Sequence, residues 1–402
     1  MFSYYSEHHS CKLFVHDDLV PVTLPCLFSN ALSKHLIVYA TGVEDRLIEN
    51  PIEKVTSNFI LNRLEQFLLW VDDYSKDSKF VSLDNHHNLP NELINYYLND
   101  DLIECRGLGE ASIKQSTQAL NAYFNYLYHI GITDNVRHLL IKPKFRSQAR
   151  INTKTRTSVK YLTPELRNIL YQNASTIRDE LLLKTGGECG LRSKENKGFL
   201  LADFKIGNKS HKGLLTLFTD MNNNPEQMEF EYYLQGRYSK SIKHSGGKSR
   251  LVYIHRDLLR RFKEYFDKER PLSESNSFFL NDSQSGNINP ITESRATKVF
   301  KEIRNKVMLM QDRGELPLEG QMLETGHTHH ILRHSFGTDK FYTLAKNNNM
   351  AVDDVTTTSQ VFITVAALLG HTVDGTSGNI TTKKYIRSCN IKESFESGAA
   401  WN

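Results

Sequence analysis

Three short stretches of this 402-residue chain combine arginine, histidine and hydroxyl-bearing residues at spacings that suit chemistry on an anion. The first is Cys189-Gly190-Leu191-Arg192-Ser193-Lys194-Glu195. The second is His330-Ile331-Leu332-Arg333-His334-Ser335-Phe336-Gly337-Thr338. The third is Leu368-Leu369-Gly370-His371, followed by Thr381-Thr382-Lys383-Lys384-Tyr385. On a helix, His330 and Arg333 lie three apart and share a face, while Leu332 and Phe336 share another that can enter a core. The fixed guanidinium charge opposes a cation beside it. It suits a phosphate, to which Arg offers two parallel donors and His a hydrogen bond or an exchangeable proton near neutral pH.

Plainer readings stand beside this one. His327, His329, His330 and His334 crowd together, and His330 and His334 have the i, i+4 spacing of a helical zinc pair. Ile331 follows His330, so the His-Glu-x-x-His pattern is absent, and no Cys or carboxylate cluster nearby completes a ligand set. No metal is therefore expected, and surface or capping histidines are the simple alternative. Arg192 and Glu195, at i, i+3, could form a surface ion pair worth ~0.5 kcal/mol. His371 could cap a helix, and Tyr385 is one of 18 tyrosines.

Taken together and in order, Arg192, His330-x-x-Arg333, Gly370-His371 and Tyr385 resemble the signature of the tyrosine recombinases, the family of phage integrases and Xer recombinases. That signature is an Arg in a Gly-Leu-Arg-x-x-Glu box, His-x-x-Arg-His, Leu-Gly-His, and a Tyr after paired Thr or similar residues. The resemblance runs from about residue 57 to near the C-terminus. It implies a site-specific recombinase or integrase that cuts and rejoins duplex DNA, as mobile elements do. A phenol with a pKa near 10 needs help to attack phosphorus. By resemblance Tyr385 is the nucleophile, giving a 3′-phosphotyrosyl enzyme and a free 5′-hydroxyl. Arg192 and Arg333 would clamp the non-bridging oxygens, His330 would assist proton removal, His371 would hydrogen-bond the phosphate, and Glu195 would orient the arginine. The covalent bond conserves the energy of the broken diester, so neither a nucleotide cofactor nor a metal is implied.

The family's leaving-group acid is a lysine in a β-hairpin turn. Here the hairpin reads Lys243-His244-Ser245-Gly246-Gly247-Lys248-Ser249-Arg250, with Ser245 where many relatives have lysine, so Lys243 and Lys248 are both candidates. The stretch from Thr372 to Ile380 lengthens the interval between His371 and Tyr385 beyond the family's pattern. The resemblance further implies partners: double-stranded DNA, self-association into a synaptic tetramer that resolves a Holliday junction, and room for accessory proteins. The tail from Ile386 to Asn402 is expected to dock on a neighbouring protomer. A type IB topoisomerase and a catalytically silent DNA-binding protein of the same fold are the alternatives.

The elements that must position these residues are mostly helical. Residues 1–54 carry no motif and form an N-terminal extension of unknown role. From Ser57, Ile60, Leu61, Leu64, Phe67, Leu68 and Val71 recur at helical intervals, a second helix follows Pro90, and a third runs from about Ala111 to Gly131. Residues 55–141 thus predict a helical domain, which the resemblance makes a core-binding (SAM-like) domain. Lys142 to Lys160 holds seven Lys or Arg, no Asp or Glu and no apolar periodicity, and is read as a basic linker. Its Lys142, Lys144, Arg146, Arg150, Lys154 and Arg156 are candidate DNA phosphate contacts. Residues 161–402 would be the catalytic domain. Thr163-Pro164 opens a helix. Leu214–Phe218, Met228–Leu234 and Leu251–Ile254 read as strands, with Gly246-Gly247 as a hairpin turn. Helix dominates from Asp257, with Val299, Phe300, Ile303 and Val307 on one stripe of the segment from Ile291 to Met310. The fold class is mainly α with a small antiparallel β-sheet (α+β).

The bulk composition agrees. With 39% hydrophobic and 24% charged residues the chain is globular, and its length allows more than one core. Its net charge of +4 decides nothing about an anionic partner, because location matters more than the total. Five cysteines without a Cys-x-x-Cys pair argue against a disulfide framework or thiolate zinc site. The absence of a membrane-length apolar run and of a secretion signal at the given N-terminus points to the cytoplasm.

Overall fold

Leu61, Leu64, Phe67, Leu68 and Val71 fall on one stripe of a helix spanning Lys54–Ser75, and all are buried. That stripe anchors the first of two units into which the computed structural model divides, Met1–Thr157 and Ser158–Asn402. The structure describes residues 1–78, 80–154, 160–239, 241–242, 246–281, 288–316, 321–356, 358–371, 388–389 and 392–393.

The first unit begins with a hairpin, β1 (Phe2–Ser6) and β2 (Cys11–Val15), then α1 (Thr23–His35) and a second hairpin, β3 (Ile37–Thr41) with β4 (Leu47–Pro51). It continues with α2, the helix just named, then α3 (Asn91–Tyr96), prolonged as a π-helix over Tyr97–Cys105, and α4 (Glu110–His129). The N-terminal extension joins this core: Phe14, Val22, Phe28 and Leu32 are buried with the stripe of α2 and with Leu120, Tyr123 and Phe124 of α4. Phe67 meets Tyr97 and Phe124 edge-on, at 5.3 and 6.2 Å between ring centres.

The segment read as a basic linker departs from that reading. Its first part is a helix, α5 (Pro143–Lys154), seated on the same core by Phe145 and Ala149. Only two inward residues, one turn apart, hold it, so no apolar period was visible. Asn152 secures it further by donating to the carbonyls of Ile103 and Leu108.

The second unit opens with α6 (Pro164–Gln172), capped by Thr163, whose hydroxyl accepts from the Leu166 N–H, and α7 (Ile177–Glu188). A small hairpin follows, β5 (Phe204–Ile206) with β6 (Lys209–His211). Leu214–Phe218, read as a strand, is instead the start of α8 (Leu214–Asn223). Leu214, Leu217, Phe218 and Met221 are buried at helical spacing, and Asp203 accepts from the Gly213 N–H and the Thr216 hydroxyl at its N-terminus. The alternation from Met228 onward forms β7 (Glu229–Leu234).

Gly246-Gly247, read as a turn, is itself a short strand, β9, paired with β8 (Ser241–Ile242). β10 (Arg250–His255) pairs antiparallel with β7, with Arg250 opposite Leu234 and His255 opposite Glu229. Four α-helices follow among the described residues: α9 (Arg256–Lys268), α10 (Arg295–Asp312), α11 (His330–Asn347) and α12 (Gln360–Leu368). Val299, Phe300, Ile303 and Val307 of α10 are buried as their spacing predicts. The chain is thus mainly helical with small antiparallel two-stranded sheets, three of them among the described residues of this unit where one was expected.

Among the described residues, no helix is long and apolar enough to cross a membrane. The described residues of the C-terminal tail pack against α11 of the same chain. Cys389 is buried against Phe336 and Phe341, and Lys392 pairs with Asp339 at 3.1 Å.

Candidate active site

Glu195 is the point on which the site converges. It sits in the short 3-10 turn Ser193–Gly198 that follows α7 and is fully buried. Its Oε2 accepts from the Arg192 backbone N–H at 2.8 Å and from Arg250 Nη2 at 3.0 Å, and lies 3.6 Å from Arg333 Nη1. Its Oε1 accepts from Arg192 Nη1 at 2.9 Å, Arg250 Nη1 at 3.2 Å and the Ser239 hydroxyl at 3.1 Å. Burial pushes its pKa up, but Arg250, Arg333 and Arg192 outweigh burial and leave it below the usual carboxylate range.

Arg333 lies one helical turn into α11 and has no exposed surface. Its Nη1 donates to the Gly190 carbonyl at 2.5 Å, and its Nη2 donates to the Leu369 carbonyl and faces His371 Nε2 at 3.3 Å. It therefore binds together the three sequence boxes that surround it. Gly190 is essential to that approach. Its φ is +66°, and a Cβ there would stand 2.5 Å from the Phe336 ring. Arg192, by contrast, keeps a side chain that is 26% exposed.

The two imidazoles beside these arginines are neutral at physiological pH. His371 has its pKa pushed down to about 3 by burial and then by Arg333, Arg192 and Arg250. His330 keeps an exposed edge, yet the protein crowded around the rest of its ring, with Arg333 and Arg192, brings it down to about 4. A neutral His371 that faces the Arg333 donor with Nε2 must accept there and carry its proton on Nδ1.

The structure thus brings Arg192, His330, Arg333 and His371 together. The other sequence candidates fall elsewhere. Lys248 is exposed between β9 and β10. Lys243, Tyr385 and Arg156 lie outside the described residues, as does the side chain of Lys154. Lys142, Lys144, Arg146 and Arg150 are exposed on or beside α5.

The remaining histidines of the cluster are structural. His329 is buried, held near pKa 4 by burial, and lies 3.2 Å from the Leu182 carbonyl, while His327 accepts from the Glu324 N–H. Among the described residues, no group of three or more His, Cys, Asp or Glu is placed to hold a metal ion.

One residue escaped the sequence reading. Arg250 is buried beside Val252 and Ile254 on the inward row of β10 and reaches both oxygens of Glu195. The period-2 alternation that revealed the strand also places Arg250 on its apolar face. An arginine in a core row was the available signal.

No family model matches the sequence. No curated protein matches it either. Solved structures do show likeness. Against XerH site-specific recombinase bound to difH substrate, identity is 18% over 85% of this chain and 79% of that one, with a TM-score of 0.46. Against the Tn1549 transposon integrase in complex with transposon right end DNA, identity is 15% over 86% and 93%, with a TM-score of 0.46. Against XerA recombinase, identity is 15% over 87% and 94%, with a TM-score of 0.36. These likenesses carry no chemistry, which must come from the residues.

Proposed function

We propose that this chain breaks and rejoins duplex DNA as a tyrosine-type site-specific recombinase or integrase. The observation that carries the reading is the convergence of three guanidiniums and two neutral imidazoles around the single carboxylate of Glu195. Three positive charges against one leave a surplus that suits a phosphodiester whose negative charge grows in the transition state. The motif resemblance supplies what the geometry needs, a phenol nucleophile at Tyr385.

In the proposed reaction the Tyr385 oxygen bonds to phosphorus as the bond to the 5′-oxygen breaks, leaving a 3′-phosphotyrosyl link. The phenol proton passes to a base and the departing 5′-oxygen takes a proton from an acid. Arg192, the exposed guanidinium, contacts a non-bridging oxygen, with Arg333 acting from beneath it. His371, protonated on Nδ1, donates to the phosphate. His330 is the base: it is neutral, and the phosphate's charge offsets the arginines that depress its basicity. Lys248 or Lys243 is the acid. Reversal with a different 5′-hydroxyl exchanges strands, and exchange in a tetramer through a Holliday junction completes recombination.

The test is incubation with nicked suicide duplexes tiled from the DNA flanking the gene. The chain should become trapped in an SDS-resistant protein–DNA adduct, and Tyr385→Phe should abolish it. An adduct formed by Tyr385→Phe would remove Tyr385 as nucleophile. Absence of any adduct with the unaltered chain would favour a silent DNA-binding protein.

A further inference from the structure

Arg250 stands at a junction of three segments. It begins β10, it donates to both oxygens of Glu195, and its Nη1 lies 3.5 Å from the Leu369 carbonyl. A Cβ on Gly370 would come within 3.0 Å of its Cδ and Nη1, so it packs directly beneath the residue preceding His371. We propose that Arg250 is a positioning residue of the site: it takes up the charge of Glu195, so that the Arg192 guanidinium keeps its charge and direction for a bound phosphodiester. The proposal rests on the strand-transfer reading above.

Charge and competition for the Glu195 oxygens set what Arg250 does. Each oxygen of Glu195 is shared between Arg192 and Arg250. Arg250 and Arg333 are buried, with side chains 4% and 0% exposed, whereas Arg192 is the member of the trio open to solvent. With Arg250 present, Glu195 is satisfied from inside and Arg192 retains donors beyond the one spent on Oε1. Without it, Glu195 keeps the Ser239 hydroxyl and Arg333 at 3.6 Å but draws more strongly on Arg192, and the surplus positive charge falls from two to one. A phosphodiester in its ground state carries one negative charge, and more accumulates on the non-bridging oxygens during transfer. The loss of Arg250 therefore falls on the chemical step more than on DNA affinity.

The experiment compares single-turnover adduct formation on two nicked duplexes, one with an ordinary scissile phosphodiester and one with a methylphosphonate. In the latter a methyl replaces one non-bridging oxygen and removes its charge. Arg250→Met should slow the diester reaction by about 100-fold, as loss of a charge-stabilising donor does, while slowing the methylphosphonate reaction by less than about 10-fold. DNA affinity should stay within about threefold, and Arg250→Lys should recover part of the rate on the diester.

Equal losses on both substrates, or no loss on either, would overturn the proposal. Should Arg250→Met fail to fold, as judged by circular dichroism, Arg250→Lys alone carries the same substrate comparison with a smaller ratio. If the unaltered chain forms no adduct on either duplex, the strand-transfer reading fails, and Arg250 is then tested with inorganic phosphate by following the His330 and His371 ring signals by NMR. Weaker phosphate binding by the Arg250 variant would uphold its role, and equal binding would overturn it.

Discussion

The two units bury polar side chains of different kinds. Among the described residues of 1–157 the buried polar side chains are Ser29, Ser57, His86, Asn99, Ser116 and Asn125, and His86 is neutral because burial brings its pKa down to about 4. In residues 158–402 they include Arg167, Arg178, Asp179, Glu195, Arg250, Arg333 and Lys392. A buried amide needs only uncharged hydrogen-bond partners: Asn125 donates to the Tyr39 carbonyl and the Thr41 hydroxyl, Asn99 to two backbone carbonyls. A buried ion costs several kcal/mol unless charges of opposite sign and good geometry surround it. Among its described residues unit 2 accepts that cost in three clusters: around Glu195, around Asp339, where Arg167 and Lys392 meet, and around Asp179, where Arg178 and Arg295 meet. The described interior of the first unit buries no charged side chain, whereas the second holds charge in place where a substrate anion is proposed to bind.

The sharpest way to break this comparison is to remove one buried group from each unit. Glu195→Leu leaves Arg250 and Arg333 buried without their carboxylate, and should lower stability by about 3–5 kcal/mol. Asn125→Ala removes two hydrogen bonds to β3 and should cost about 1–3 kcal/mol. Urea denaturation followed by hydrogen exchange, resolved by unit, measures both. Similar losses in the two variants would show that charge burial in unit 2 carries no special cost.

Much of this contrast was legible in the sequence, but unevenly. Helices with a long apolar stripe, such as α2, α4 and α10, were visible because each turn repeats the same evidence. So were the boxes around Arg192, Arg333 and His371, whose approach to one another is a consequence of chain path that spacing alone does not give. α8 was misread because Leu214, Leu215, Leu217 and Phe218 form a short apolar run, which fits a buried strand or a helix equally well. α5 was hidden by its charge. The N-terminal hairpins were missed because β1 exposes most of its residues and β4 all but one in part, leaving no alternation to detect.

Glycines test the same contrast at smaller scale. Gly190→Ala places a Cβ against Phe336 at a backbone conformation that L residues avoid, and should cost about 2–4 kcal/mol. Gly131, just beyond α4 in unit 1, also has a positive φ but has nothing within 4 Å, so Gly131→Ala should cost about 1 kcal/mol. Thermal unfolding of the two variants reads the gap between them. Equal costs would mean that the Gly190–Phe336 approach relaxes freely.

Histidine titration separates the rings lowered mainly by burial, His86 and His329, from those also lowered by neighbouring arginines, His330 and His371. His86, His329, His330 and His371 all have folded pKa values below the ordinary 6.5, so the unfolded chain binds more protons than the folded one between about pH 6.5 and pH 4. Stability should therefore fall as pH drops through that window, and be fully present above it. Inorganic phosphate should raise the His330 midpoint, by countering Arg333 and Arg192, and leave His86 unchanged. NMR titration of the ring protons measures each. A phosphate-insensitive His330 would detach it from the anion site.

The smallest effect on stability should come from α5, which presents a row of basic side chains on the surface of unit 1. Phe145 and Ala149 point into the core, so Lys144, Arg146 and Arg150 are left on the outer surface, where burial makes no demand on them. Neutralising Lys142, Lys144, Arg146 and Arg150 to Gln should change unfolding free energy by no more than about 0.5 kcal/mol per site. If the row lies along a phosphate backbone, the slope of log affinity for duplex DNA against log salt should become shallower by about 0.9 for each phosphate no longer neutralised. An unchanged slope with unchanged stability would reduce α5 to a helix that closes the first unit, and would leave the charge that meets DNA entirely to the unit that buries it.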